Sequence, residues 1–239
     1  MSRKKWILPA CAGATALLAL IPLYRMGLHF MGPFRGLAVR AIRKKYPVSR
    51  SKGGILFYGA SNFARWTEME KDLAGFPVQN HGFGGSADRD LIRYADRILY
   101  PYVPDTVVFQ TGSNDYVQEK GSDEDKIRIC MDRKRAMFSL FHEKLPQARF
   151  IVMSGLLLPG RSQYLDLTNE VNRQLKELCE ERDYMTFVDA SDMTYRNGLF
   201  EESLFVEDLI HLNRDGQRKW AEGYIIPALK EETEGSAVE

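Results

Sequence analysis

The sequence predicts an α/β protein, a three-layer α/β/α sandwich on a parallel, flavodoxin-like sheet, preceded by an N-terminal transmembrane helix. Three observations carry that expectation. From Ile55 onward, short apolar β-rich runs alternate with longer segments of helical period, the pattern of parallel strands joined by crossover helices. The chain has 239 residues, of which 44% are hydrophobic, enough for one substantial core with an appendage. Charge is also segregated. Residues 1–52 hold eleven Lys or Arg and no Asp or Glu, so 53–239 carry the other 22 basic and all 32 acidic residues, a net −10. A body of that charge argues against nucleic acid as a partner.

The leader, residues 1–24, contains nineteen uncharged residues from Trp6 to Tyr24, after Arg3, Lys4 and Lys5 and with aromatic residues at both ends. At ~1.5 Å per residue such a helix spans ~30 Å of hydrocarbon, so a single membrane anchor is expected. The rival is a signal peptide cleaved at Ala14–Ala16, although the apolar run continues to Leu23. Residues 25–53 form a basic juxtamembrane segment. Phe34, Leu37, Ala38, Ala41 and Ile42 recur at helical spacing among Arg35, Arg40, Arg43 and Lys44, so this helix either lies on anionic lipid or packs its apolar face on the domain. SRSKGG (49–54) reads as a polar linker. The basic residues that follow the span favour a cytoplasmic domain by the positive-inside tendency, whereas secreted chemistry favours an extracytoplasmic one, which is the placement expected here.

The main domain, 54–239, offers strands at ILFYGA (55–60), PVQNHG (77–82), TVVFQTG (106–112), RFIVMSG (149–155) and MTFVDA (185–190). Helices are expected over 63–73, 87–99, 123–145, 164–182 and 214–231, with Ser122 and Asn213 as caps. Cys11, Cys130 and Cys179 are too few and too scattered for a disulfide framework or a metal knuckle. No metal or cofactor is expected.

In such a fold, ligands meet the carboxyl ends of strands, and four of those ends carry related chemistry. Ser61 stands between the first strand and a helix, where a hydroxyl reaches the sheet rim beside unpaired N–H groups. A lone serine there is more often a helix cap, and Phe63 occupies the place where an α/β-hydrolase elbow needs glycine. NHGFGGS (80–86) makes a tight turn in which the Gly85 N–H can point inward, and TGSND (111–115) supplies the Asn114 amide. With the Ser61 N–H, these two donors suit an oxyanion. DLIHLN (208–213) sets Asp208 three residues before His211, a spacing that lets the acid orient the ring as a general base. Each piece has a plainer reading as a turn, an Asx residue or a loop histidine. All four, in order and each at a strand exit, make coincidence costly.

GAS around Ser61, the glycine turn ending at Gly85, GSND with Asn114, and DLIH with Asp208 and His211 resemble the four blocks of the SGNH hydrolases, the GDSL-type lipases and esterases, over 54–231. The likeness extends to acylhydrolase-like bacterial members, in which a Trp such as Trp66 leads into an NxGFGGS turn. The resemblance implies a Ser-His-Asp hydrolase with an oxyanion hole from serine, glycine and asparagine. The family's usual Asp before the nucleophile is Ala60 here, a departure outside the proton-transfer and oxyanion groups. Among the remaining histidines, His81 is expected in a structural hydrogen bond and His142 on a helix surface. Phe83, Tyr116 and the loop LLLPGRSQY (156–164) either border the cleft or pack.

The expected activity is that of a membrane-associated serine ester hydrolase acting through an acyl-enzyme on short-chain acyl esters such as O-acetylated glycans. Lysophospholipase or thioesterase activity, O-acyl transfer from the same site, and a non-catalytic binding module are the alternatives.

Overall fold

The protein was analysed as a computed structural model that describes residues 32–235. Five strands, β1 (Ile55–Gly59), β2 (Val78–Asn80), β3 (Thr106–Gln110), β4 (Arg149–Met153) and β5 (Met185–Val188), form one sheet in the order β2-β1-β3-β4-β5 with every neighbour parallel. That is the flavodoxin-like order the sequence predicts. β1 and β3 are buried along their whole length, as strands covered on both faces must be.

Alternate side chains feed two cores. Leu56, Tyr58, Val107, Phe109, Phe150 and Val152 point to one face, covered by α1 (Gly32–Lys45), α4 (Asp88–Ile98), α6 (Asp123–Lys144) and α7 (Leu165–Glu180). Ile55, Phe57, Val108, Ile151 and Met153 point to the other, covered by α2 (Ser61–Ala64), α3 (Met69–Asp72), α9 (Arg214–Trp220) and α10 (Ile226–Gly235). Between β3 and α6 lies the short α5 (Ser113–Gln118). After β5 come α8 (Ser191–Thr194) and a hairpin of β6 (Tyr195–Arg196) and β7 (Leu199–Phe200).

Several elements differ from the sequence-based expectation. The helix expected over 63–73 is two short helices with a turn at Trp66, whose indole donates to Asp72 at 2.7 Å and stacks on Trp220 at 5.9 Å. The helix expected over 214–231 contains one π-helical turn, Ala221–Ile225. Pro227 stands just beyond it with no N–H to donate, and a wider turn absorbs the missing α-helical bond. Ser122 and Asn213 cap their helices as expected. SRSKGG is not a free linker, because the Gly53 N–H bonds the Tyr102 carbonyl at 2.9 Å and the Gly54 N–H bonds Asp105 at 2.7 Å.

Helix α1 packs on the domain, with a face turned from the one the apolar spacing suggests. Arg35, Val39, Ile42 and Tyr46 are buried, whereas Phe34 and Leu37 are 63% and 56% exposed. Residues 1–31, including the expected transmembrane helix and Cys11, lie outside the described residues. Among the described residues no helix is long and apolar enough to cross a membrane.

Candidate active site

The chain leaves β1 at Gly59, passes extended Ala60 and enters α2 with Ser61 as its first residue. The Ser61 N–H therefore belongs to a first helical turn, where no intrahelical acceptor exists. The next residue, Asn62, is buried, and its side-chain oxygen accepts the Leu212 N–H at 3.1 Å. It ties the serine turn to a loop 150 residues away in sequence.

That loop is closed by an antiparallel bridge between Phe205 and Leu212 and by a bond from the Val206 N–H to the His211 carbonyl at 2.9 Å. Leu209 adopts φ +55, which turns the chain sharply and lets Asp208 fold back on its own loop. One carboxylate oxygen of Asp208 accepts the N–H groups of Ile210 and His211, each at 2.9 Å, and the other meets His211 Nδ1 at 2.7 Å. His211 Nε2 lies 2.8 Å from Ser61 Oγ. Because an ionised carboxylate only accepts, Nδ1 carries the proton and Nε2 is left to accept from the serine hydroxyl.

Electrostatics favour the same protonation states. Burial holds the His211 pKa below its ordinary 6.5, the Asp208 hydrogen bond opposes that, and the nearby Arg65 and Arg161 cations add to the lowering. The ring is thus neutral at neutral pH. Burial alone would raise Asp208, but the bonds from the His211 ring and from the two N–H groups outweigh it, and the carboxyl sits below 3.8. Half-exposed Arg65 approaches Asp208 Oδ2 at 3.3 Å.

Asn114 is buried in the first turn of α5. Its amide donates to the Ser86 carbonyl at 3.0 Å, and its side-chain oxygen accepts from Arg161 at 3.2 Å. An NH₂ group carries two hydrogens, so one remains for a ligand. Gly85 has φ +68, in the left-handed region that favours glycine. Ser61, Asn62, Asn114, Arg161, Ile210 and the rim of β3 line a narrow cleft. Gly85 stands behind it, joined through Ser86, whose hydroxyl donates to the Gly59 carbonyl at 3.2 Å. Ser61, His211 and Asp208 are thus in mutual contact, Asn114 shares their cleft, and Gly85 adjoins it.

Other expectations fare differently. Phe83 is fully buried and packs against Tyr58 and Tyr94. Tyr116 bonds Thr168 at 2.6 Å and lines an adjoining apolar recess with Leu156 to Leu158. His81 makes the expected structural bond, to the Ile98 carbonyl at 2.6 Å, and burial lowers its pKa to about 4. His142 is not on an open helix surface but half-buried, stacked on Tyr184 at 3.6 Å, because a flat aromatic partner waits after α7. Cys130 and Cys179 are buried thiols, as expected. Sequence reasoning missed Asn62, Arg65 and the individual role of Arg161. The only available signals were an Asn directly after the serine and an Arg within the loop 156–164.

Comparison with known proteins identifies the family and the fold. A model of the GDSL-like lipase/acylhydrolase family matches residues 51–219. No curated protein sequence matches. A solved Streptococcus pneumoniae protein provisionally named as a platelet activating factor superposes with TM-score 0.68 at 17% identity, covering 88% of this chain and 97% of that one. The catalytic domain of Streptococcus pneumoniae peptidoglycan O-acetyltransferase A gives TM-score 0.54 at 16% identity, over 77% and 96% of the two chains. An acetyl-xylooligosaccharide esterase of Geobacillus stearothermophilus gives 0.53 at 20%, over 71% and 90%. At such identities the likeness is one of fold.

Proposed function

Since the chain belongs to the GDSL-like lipase/acylhydrolase family and is a hydrolase of ester bonds, we propose that Ser61, His211 and Asp208 are its catalytic triad and that short-chain acyl esters, such as O-acetylated glycans, are its substrates. The observation that carries the proposal is the unbroken relay from Asp208 to His211 at 2.7 Å and from His211 to Ser61 at 2.8 Å.

In this mechanism Ser61 Oγ attacks the ester carbonyl carbon while its proton passes to His211 Nε2. Asp208 fixes the tautomer and steadies the imidazolium that forms. The oxyanion accepts from the N–H groups of Ser61 and Gly85 and from the second amide hydrogen of Asn114, and each donor contributes about 2.7–4 kcal/mol to the transition state. Collapse of the tetrahedral adduct expels the alcohol, which takes the proton from His211. Water, deprotonated by the same ring, then attacks the acyl-enzyme and releases the acid. Arg161 holds the oxygen of Asn114 and so orients its amide.

A short acyl group is supported by the restricted cleft and its small or polar lining of Ala60, Thr111, Gly112 and Ser113. The fold is also shared with proteins whose names specify acetyl groups on glycans. The test is fluorophosphonate labelling followed by a p-nitrophenyl ester series. Wild type is expected to label at Ser61, Ser61→Ala to resist, and kcat/KM to peak at acetate; an unlabelled folded wild type would overturn the hydrolase mechanism, and a peak at octanoate would overturn the substrate class. The same proposal puts the domain outside the cytoplasmic membrane on the anchor 6–24, and proteolysis of the domain by protease added to intact cells is the corresponding check.

A further inference from the structure

Helix α1 lies N-terminal to the segment matched by the family model, which begins at residue 51, yet one of its side chains reaches the glycine turn of the site. Arg35 is only 8% exposed. Its guanidinium donates to the Gly85 carbonyl at 2.6 Å with one nitrogen and to Asp90 Oδ1 at 2.6 Å with another. The second oxygen of Asp90 accepts the Ala87 N–H at 3.0 Å. Arg35 and Asp90 together therefore clamp the turn on both sides of Ser86.

Other bonds in that turn leave little else to hold Gly85. The Gly82 N–H bonds Asn80, the Phe83 N–H bonds the Gly59 carbonyl, and the Ser86 carbonyl accepts from Asn114. Among the described residues none accepts from the Gly85 N–H, which fits a donor kept for a ligand. Gly85 has no side chain to resist rotation, and its positive φ can change at little steric cost. Its carbonyl bond to Arg35 fixes one of the two peptide planes that meet at its Cα. A charge-assisted bond in a buried site is the strong kind, and it polarises the peptide beside the proposed oxyanion donor.

We propose that Arg35 is a positioning residue for catalysis: from outside the residues matched by the family model, helix α1 uses its guanidinium to hold the Gly85 turn in the orientation that receives the oxyanion. This rests on the proposed acyl-enzyme mechanism. A donor that acts on the oxyanion works in the transition state and not on the bound ester, so its displacement lowers kcat and leaves KM alone.

The experiment compares Arg35→Met, Arg35→Lys and Val39→Ala with wild type in the full chain, using p-nitrophenyl acetate and thermal unfolding. Val39 is buried on the same helix but makes no bond to the turn. Arg35→Met is expected to lose about 10–100-fold in kcat, the order that a small misplacement of a reacting group costs, with KM within twofold. Arg35→Lys, whose single ammonium cannot reproduce the two-pronged grip, is expected to fall between Arg35→Met and wild type. Val39→Ala is expected to lower Tm with kcat near wild type. Wild-type kcat in folded Arg35→Met overturns the inference, as does an equal kcat loss in Val39→Ala. If Arg35→Met does not fold, wild-type kcat in Arg35→Lys overturns it. Fluorophosphonate labelling of wild-type Ser61 separates the two levels, since absence of labelling sinks the acyl-enzyme mechanism itself, whereas labelled wild type with indifferent Arg35 variants sinks only the role of Arg35.

Discussion

At the scale of single residues the site depends on one proton's location. Asp208 accepts from His211 Nδ1, so the tautomer that can take the Ser61 proton prevails. In Asp208→Asn the amide can donate to Nδ1 and stabilise the wrong tautomer, and kcat is expected to fall about 10⁴-fold with little change in fold. Near-wild-type turnover of p-nitrophenyl acetate by that variant would exclude Asp208 as the orienting acid. The acid limb of kcat/KM reports His211, whose pKa is lowered by burial, against the pull of Asp208, and further by Arg65. Arg65→Gln removes a nearby cation and is expected to move that limb to higher pH, so activity is lost sooner on acidification. A limb that stays in place, or moves down, would show that Arg65 does not act on the ring. Ser61, Asp208 and His211 could be singled out from the sequence because each follows a strand or precedes the last helix in the expected order, and the last two are near neighbours in sequence. Arg65 and Arg161 were not, because an arginine's reach is decided by rotamers that only neighbouring loops set.

At the scale of elements, the loop that carries Asp208 and His211 is held by the helix that follows it. Asn213 accepts the N–H groups of Asp215 and Gly216, each at 3.0 Å, and donates to the carbonyls of Ser203 and Phe205. It therefore caps α9 and stitches the loop carrying His211, two residues away. Asn213→Ala is expected to destabilise the protein by about 1–2 kcal/mol, the upper range for a lost cap, and to lower kcat as well, measured by urea unfolding and by turnover below the transition. Unchanged stability would show that the cap bonds are replaced by solvent. The five strands were readable from compact β-branched runs. The short α5 was not, since six residues hold too little periodicity to separate a helix from a turn. The break between α2 and α3 also escaped notice, because the Trp66 that stands at it stacks on Trp220, 154 positions away.

Across the whole molecule, charge is buried under the site. Lys134, fully buried on α6, donates to Asp88 at 2.9 Å and to Thr111 at 2.6 Å, and Asp115 receives the Asp88 N–H at 3.0 Å and Arg133 at 3.3 Å. These groups join the glycine turn, the β3 exit and α6 from below. Burial first, and then the Asp88 carboxylate, raise the Asp115 pKa from 3.8 to about 7. A carboxyl whose folded pKa lies above its unfolded value contributes stability that is complete below about pH 4 and is lost as pH rises through about 7. Asp115→Asn is therefore expected to remove a decline in stability between pH 4 and 7 that wild type shows, read as the difference between their denaturation midpoints. Parallel midpoint curves would refute the assignment. The amino-acid sequence by itself determined the α/β class and marked Ser61, Asp208 and His211 as candidates, because hydrophobic period and strand-end chemistry are local properties. Only the tertiary structure decided that α1 turns Arg35 inward to Gly85, that Asn62 ties the serine to the histidine loop, and that Lys134 pairs with Asp88 and Thr111 in the interior. Those contacts join segments far apart along the chain, and a buried charge chooses its partner by three-dimensional proximity, which no periodicity in one dimension records.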